Sequence, residues 1–189
     1  MRLQEIVDKC HTSNDGTRLL TESVISPEVL LALKDWIKNN QTNCVLIGGL
    51  ALSYHGVPRY TQDVDVLYPN RYAIPVEIVG FKQHRGGAFQ HNKTHVEVEV
   101  VSPESFSTIS SDLVQAVFLT SNRVEGIQIA SREGLIALKA EANRKGSKHA
   151  QDIADIMHLL EIGPVDMSPF PLSQQAKELI NKLQQEVSE

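Results

Sequence analysis

Apolar residues recur at helical spacing through Val29, Leu30, Leu33, Trp36 and Ile37, which predicts an amphipathic helix over residues 27 to 39. Ser26-Pro27-Glu28 spells out its start: a hydroxyl cap, a proline at the first helical position, and an acid in the first turn. Asn39-Asn40-Gln41 ends it. Cys44 to Ile47 is a short apolar run that predicts a buried strand, broken by Gly48-Gly49. Leu50 to His55 predicts a short helix with Gly56 as its left-handed stop, and Pro58 turns the chain away. Asp63 to Leu67 alternates acid and aliphatic, the pattern of a strand with one polar and one buried face. Residues 1 to 25 carry little pattern, and Pro69 and Pro75 argue against a long helix in residues 69 to 80.

Phe81 to Gln90 and Lys93 to Val101 predict two strands joined near His91-Asn92. The second would set His95, Glu97 and Glu99 on one face and Val96, Val98 and Val100 on the other. A helix is expected from Pro103 to near Leu119, then a short strand from Gly126 to Ile129. Ser131 caps a helix carrying Leu135, Ile136, Leu138 and Lys139. Gly146-Ser147 separates it from another, striped by Ile153, Ile156, Met157 and Leu160. Gly163 to Leu172, with its prolines, reads as a linker; Ala176, Leu179, Ile180, Leu183 and Val187 trace a final amphipathic helix. The expected fold is α/β (α+β): a small mixed sheet flanked by helices, with a helical C-terminal part. Its divisions are a helical lead-in over 1–43, a core over 44–130, and C-terminal helices over 131–189 that pack on the core.

Composition adds limits. With 189 residues, 41% hydrophobic and 22% charged, the chain is ordinary for a globular protein. A net charge of -5 excludes a global field that draws it to polyanions, so any nucleic-acid contact needs a local basic patch. Two clusters qualify: Lys82, His84 and Arg85 with Gly86-Gly87, followed by His91, Lys93 and His95; and Arg144, Lys145, Lys148 and His149. Each is a solvated charge run unless it flanks the carboxylate strand. Phe81 and Phe89 are the only rings near the first, so interleaved aromatics for base stacking are lacking. The two cysteines, Cys10 and Cys44, suit neither a disulfide scaffold nor zinc spacing, and Cys44 reads as a buried free thiol. The N-terminus lacks the apolar core of a signal peptide, and no apolar run approaches the ~20 residues of a membrane span. A cytoplasmic protein without a membrane partner is expected.

Asp63 and Asp65 project from one strand face, about 6.6 Å apart at their α-carbons. Two such acids are either a wet strand face or a magnesium site, since this ion takes oxygen ligands and leaves positions to water and phosphate. A third acid would hold a second metal and help deprotonate an attacking hydroxyl. Glu97 and Glu99 are the candidates; Glu99, bordered by Val98, Val100 and Val101, matches the setting of Asp65 better. Upstream, Gly48-Gly49 sits where a strand passes into a helix. It is either a plain turn or a backbone bare enough to approach phosphate oxygens.

Taken together, the run from Val45 to Leu67 resembles the signature of the nucleotidyltransferase superfamily that includes DNA polymerase beta. The finer pattern, Gly49-x-Ala51 with His55-Gly56, Arg59, Thr61, Asp63 and Asp65, is most similar to the AbiEii-type group of abortive-infection and toxin–antitoxin nucleotidyltransferases. Glu133-Gly134-Leu135-Ile136-Ala137-Leu138-Lys139, then Arg144, Lys148, Gln151-Asp152 and Asp155, resemble that group's helical tail, so the likeness spans roughly residues 44 to 162. One departure is the third acid, a glutamate where aspartate is commoner. The resemblance implies a nucleotidyltransferase core over 44–130 that moves an NMP from an NTP, such as ATP or GTP, to a hydroxyl on an RNA end or a protein. It implies that Asp63, Asp65 and Glu99 (or Glu97) are catalytic and bind two Mg²⁺ ions, with Mn²⁺ as a substitute. Gly48 and Gly49 would hold the triphosphate, Lys139 would approach its phosphates, and Arg59 and Thr61 would contact phosphate or brace their loop. A toxin role with a cognate antitoxin is also implied.

The alternatives are a non-catalytic nucleotide- or partner-binding module of the same fold, and an enzyme that modifies a small molecule such as an antibiotic. His55, at a helix C-terminus, reads as structural. Asp152, Asp155 and His158 suggest a second metal site by spacing, but a pair of Asp152 with Lys148 one turn earlier is the simpler expectation.

Overall fold

The computed structural model describes residues 25–40, 42–105, 108–124, 126–142 and 146–188. Along the chain these form α1 (Pro27–Asn39), β1 (Val45–Ile47), α2 (Gly48–Tyr54), β2 (Val64–Leu67), β3 (Phe81–Gln83), β4 (Phe89–His91) and β5 (Glu97–Val101). Then follow α3 (Ser111–Thr120), β6 (Asn122–Val124), β7 (Ile127–Ile129), α4 (Arg132–Glu141), α5 (Ser147–Glu161) and α6 (Gln174–Ser188). The strands make one mixed seven-stranded sheet in the order β3-β4-β5-β2-β1-β7-β6. With its helices and a helical C-terminal part, α4–α6, the fold is mixed α/β.

Serine caps fix helix starts, among them those of α1, α3 and α4. The hydroxyls of Ser26, Ser110 and Ser131 accept from the backbone N–H groups of Val29, Leu113 and Gly134 at 3.3, 3.1 and 3.0 Å. Each satisfies a donor that the first helical turn leaves without a partner. α1 buries Val29, Ala32, Leu33 and Trp36. The Trp36 ring meets Phe81 and Phe89 edge-on, at centroid distances of 5.2 and 5.5 Å. α4 carries buried Leu135, Ile136, Ala137 and Leu138 and is packed among α2, α3, α5 and α6. α6 lays Ala176, Ile180 and Leu183 onto this core, and Phe170 plugs in from the proline-bearing connection. α4 can therefore hold a polar side chain at a fixed place against the sheet.

Several expected boundaries move. The strand expected from Phe81 to Gln90 is two antiparallel strands, because Gly86 and Gly87 take φ of 67° and 85° and reverse the chain. His95 has φ 60° and stands before β5, so it does not join the Glu97/Glu99 row as its spacing suggested. Pro103–Ser105 is only a 3-10 turn, and the helix expected there starts at Ser111, after the Ser110 cap. β6 was not expected; its Asn122-Arg123 start lacks apolar alternation, and it forms through pairing with β7. Cys44 is a buried free thiol. Residues 1–24, with Cys10, and Arg144 and Lys145 of the second basic cluster lie outside the described residues. Among the described residues no helix is long and apolar enough to cross a membrane.

Trp36 is fully buried between two rings, so Trp36→Ala is expected to cost about 3–5 kcal/mol. Chemical denaturation of the two proteins checks this; a midpoint change equivalent to under about 1 kcal/mol would contradict the packing described.

Candidate functional site

β1 ends at Ile47 and the chain turns directly into α2 at Gly48, whose φ is 63°. A Cβ on Gly48 would lie 1.8 Å from Asp65 Oδ2, so the carboxylate occupies the space where a side chain would be. A Cβ on Gly49 would lie 2.7 Å from the Cβ of Thr61. The glycine pair thus admits two side chains of the chain itself. The Gly49 backbone also hydrogen-bonds the Asp65 carboxylate.

Sheet register gathers the acids. Asp65 is opposite Ile47 on the antiparallel neighbour β1 and opposite Glu99 on the parallel neighbour β5. Paired residues on neighbouring strands point to the same face, so Asp65 and Glu99 stand side by side, close enough for a side-chain hydrogen bond. Asp63 lies just before β2, and the Thr61 hydroxyl donates to its Oδ1 at 2.8 Å. Glu97 is two residues back along β5 on the same face, 3.5 Å from His84 Nδ1. It lies outside the cavity wall that Glu99 lines. Burial, then the negative charge of Asp63 and the contact with Glu99, raise the Asp65 pKa from 3.8 to about 7.

Facing these acids, α4 presents Lys139. Its Nζ donates to Asp152 Oδ1 at 2.8 Å and to Asp155 Oδ2 at 2.7 Å, both from α5. The Arg59 guanidinium stands 3.5 Å from Asp155 Oδ1. Asp155 therefore links the loop before β2 to the helical part. The partner found for Asp152 is Lys139, on a different helix, in place of the expected Lys148. Packing of α4 on α5 makes this pair, which spacing along one helix cannot reveal. Because Asp152 and Asp155 are neutralised by Lys139 and Arg59, the second metal site suggested by their spacing with His158 does not form; His158 instead pairs with Glu161 at 3.2 Å.

A cavity of about 400 Å³ opens between the two groups. Gly48, Gly49, Arg59, Thr61, Asp63, Asp65, Glu99 and Lys139 all line it. So do Lys148 and Gln151, noted in the basic cluster and the tail motif, and Tyr60 and Gln62, which sequence reasoning did not assign. His55 bonds the Ala130 carbonyl through Nε2 at 2.8 Å, a tie between α2 and the end of β7. In the first basic cluster, His91 is buried against Asp35 at 3.1 Å and Phe81 and Phe89 belong to the core, so neither ring is available for stacking.

Asp63, Asp65 and Glu99 offer hard carboxylate oxygens, and burial followed by the charge of Asp63 raises the Asp65 pKa. That chemistry suits magnesium. Among the described residues no group of three or more His, Cys, Asp or Glu side chains forms a metal-holding cluster. No known protein family and no curated protein matches the chain by sequence.

Two outcomes follow. The folded protein holds the Asp65 proton more tightly than the unfolded chain, so this group's contribution is present below about pH 4 and is lost as pH rises to about 7. Without divalent cations, Asp65→Asn should be more stable than wild type at pH 8, by about 2–4 kcal/mol, with the gap closing near pH 4; melting curves at both pH values test it, and a pH-independent gap would refute the cause given. Gly48→Ala should cost at least about 1–2 kcal/mol through its left-handed backbone alone, and denaturant titration will show whether the Asp65 clash adds to that.

Proposed function

We propose that the protein is a metal-dependent nucleotidyltransferase of the DNA polymerase beta-like superfamily, nearest in pattern to its AbiEii-type group. In this reading it transfers an NMP from an NTP to a hydroxyl acceptor and releases pyrophosphate. The observation that carries the proposal is the pairing of Asp65 with Glu99 across parallel strands, beside Asp63, on a cavity whose other wall bears Lys139 and Arg59. Three acids on one wall, facing a wall where Lys139 and Arg59 are held by Asp152 and Asp155 with Lys148 beside them, suit a metal-bound polyphosphate better than a free anion.

Asp63, Asp65 and Glu99 would hold magnesium, which when bound neutralises charge on the phosphates and lowers the pKa of the attacking hydroxyl. Thr61 keeps Asp63 oriented through its 2.8 Å hydrogen bond. Gly48 lets Asp65 sit against the bend, where Glu99 is its neighbour. An ammonium has three donors, and two of those on Lys139 are engaged by Asp152 and Asp155, which leaves one for a phosphate oxygen. Leu135, Leu138 and Ile109 supply apolar surface that limits water on the cavity's inner side.

The test incubates the protein with each labelled NTP, Mg²⁺ and total cellular RNA, protein extract or small-molecule hydroxyl acceptors, and follows label and pyrophosphate. Asp65→Asn should abolish transfer, a loss of at least about 10³-fold, while circular dichroism stays unchanged. Glu99→Gln should do the same and Glu97→Gln should not; equal small effects of both would place the third acid elsewhere. The pinning of Lys139 by two aspartates favours one other reading, a module that binds nucleotide without turnover. Calorimetric NTP binding in Mg²⁺ with no pyrophosphate from any acceptor would support it.

A further inference from the structure

Tyr60 is 66% exposed, yet it is part of the cavity wall. Among the described lining residues it is the only aromatic. Its hydroxyl accepts a hydrogen bond from Gln62 Nε2 at 2.8 Å, which restrains the ring. The backbone on both sides is anchored: Arg59 stands 3.5 Å from the buried Asp155, and Thr61 is buried against Gly49 and bonded to Asp63. A ring restrained in this way loses little freedom when a flat partner lies on it. Tyr60 is three residues from Asp63, so their α-carbons are at most about 10 Å apart. A nucleotide with its phosphates at the carboxylates carries its base over a similar distance through the ribose.

We propose that Tyr60 is the stacking platform for a nucleobase at the mouth of the cavity. The proposal rests on the nucleotidyl-transfer reading and adds to it a recognition element for a planar heterocycle. The base comes from the incoming NTP or from the end of an acceptor strand; stacking is the same chemistry in both, and it tolerates any base because every base has a π face. The edge of the ring that carries the hydroxyl stays bonded to Gln62, so the face is what remains for contact.

The experiment uses the full chain in Mg²⁺ and isothermal titration calorimetry with three probes: each NTP, inorganic tripolyphosphate, and a short oligoribonucleotide. If the base belongs to the NTP, Tyr60→Ala weakens NTP binding about 10-fold, Tyr60→Phe stays within about 2-fold, and tripolyphosphate is unaffected. If it belongs to the acceptor, Tyr60→Ala leaves NTP binding intact and weakens the oligoribonucleotide by a similar factor. Wild type that binds NTP and oligoribonucleotide no better than Tyr60→Ala overturns the stacking proposal and leaves the transfer reading standing. Wild type that binds neither NTP nor tripolyphosphate overturns both. An exposed ring is a safe site to truncate, and matched melting temperatures confirm that only the surface changed.

Discussion

The arrangement depends on one close approach: the Asp65 carboxylate filling the space beside Gly48 where a Cβ would be. Any other residue at 48 would meet both the clash and an unfavourable left-handed backbone. Because β1 and β2 are antiparallel with Ile47 opposite Asp65, the bend and the acid arrive at the same place without a long loop. Parallel pairing of β2 with β5 then brings Glu99 alongside. Hydrogen-bond register in a sheet of very short strands thus assembles a site from three distant pieces of chain.

The electrostatics on the two sides of the cavity are unlike. On the helical side, Lys139 and Arg59 face Asp152 and Asp155, so charge is balanced and the group braces α4, α5 and the loop before β2. Buried pairs of this kind are poor sources of net stability, but loss of one partner leaves the other charge stranded. On the sheet side, the Thr61 hydroxyl bonds Asp63 and the Gly49 backbone bonds Asp65, while burial and then the charge of Asp63 raise the Asp65 pKa. Tyr60, between the anchored Arg59 and Thr61, gives the same cavity its one flat apolar surface among the described residues.

Much of this was legible along the chain. Ser26-Pro27 marked the start of α1, and the acid–aliphatic alternation marked β2, because capping and period-two burial are local properties. The glycine pair was located at the strand-to-helix bend, but its close approach to Asp65 and Thr61 was not foreseen, because contact across strands leaves no local trace. Phe81 to Gln90 looked continuous because polar residues on a wet face hide a reversal; Gly86-Gly87 held the turn. The expected Asp152–Lys148 pair failed for the opposite reason: a good i, i+4 spacing lost to a cation on the neighbouring helix.

Most of the helices and strands and the acids at alternate positions were decided by the amino-acid sequence itself, since periodicity, caps and turn residues act over a few positions. Which glutamate faces Asp65, what Lys139 touches, and that Tyr60 opens onto the same cavity were decided only by tertiary structure. Each of those depends on strand register or helix packing between segments tens of residues apart, and such distances are set by the whole core rather than by any one stretch of chain.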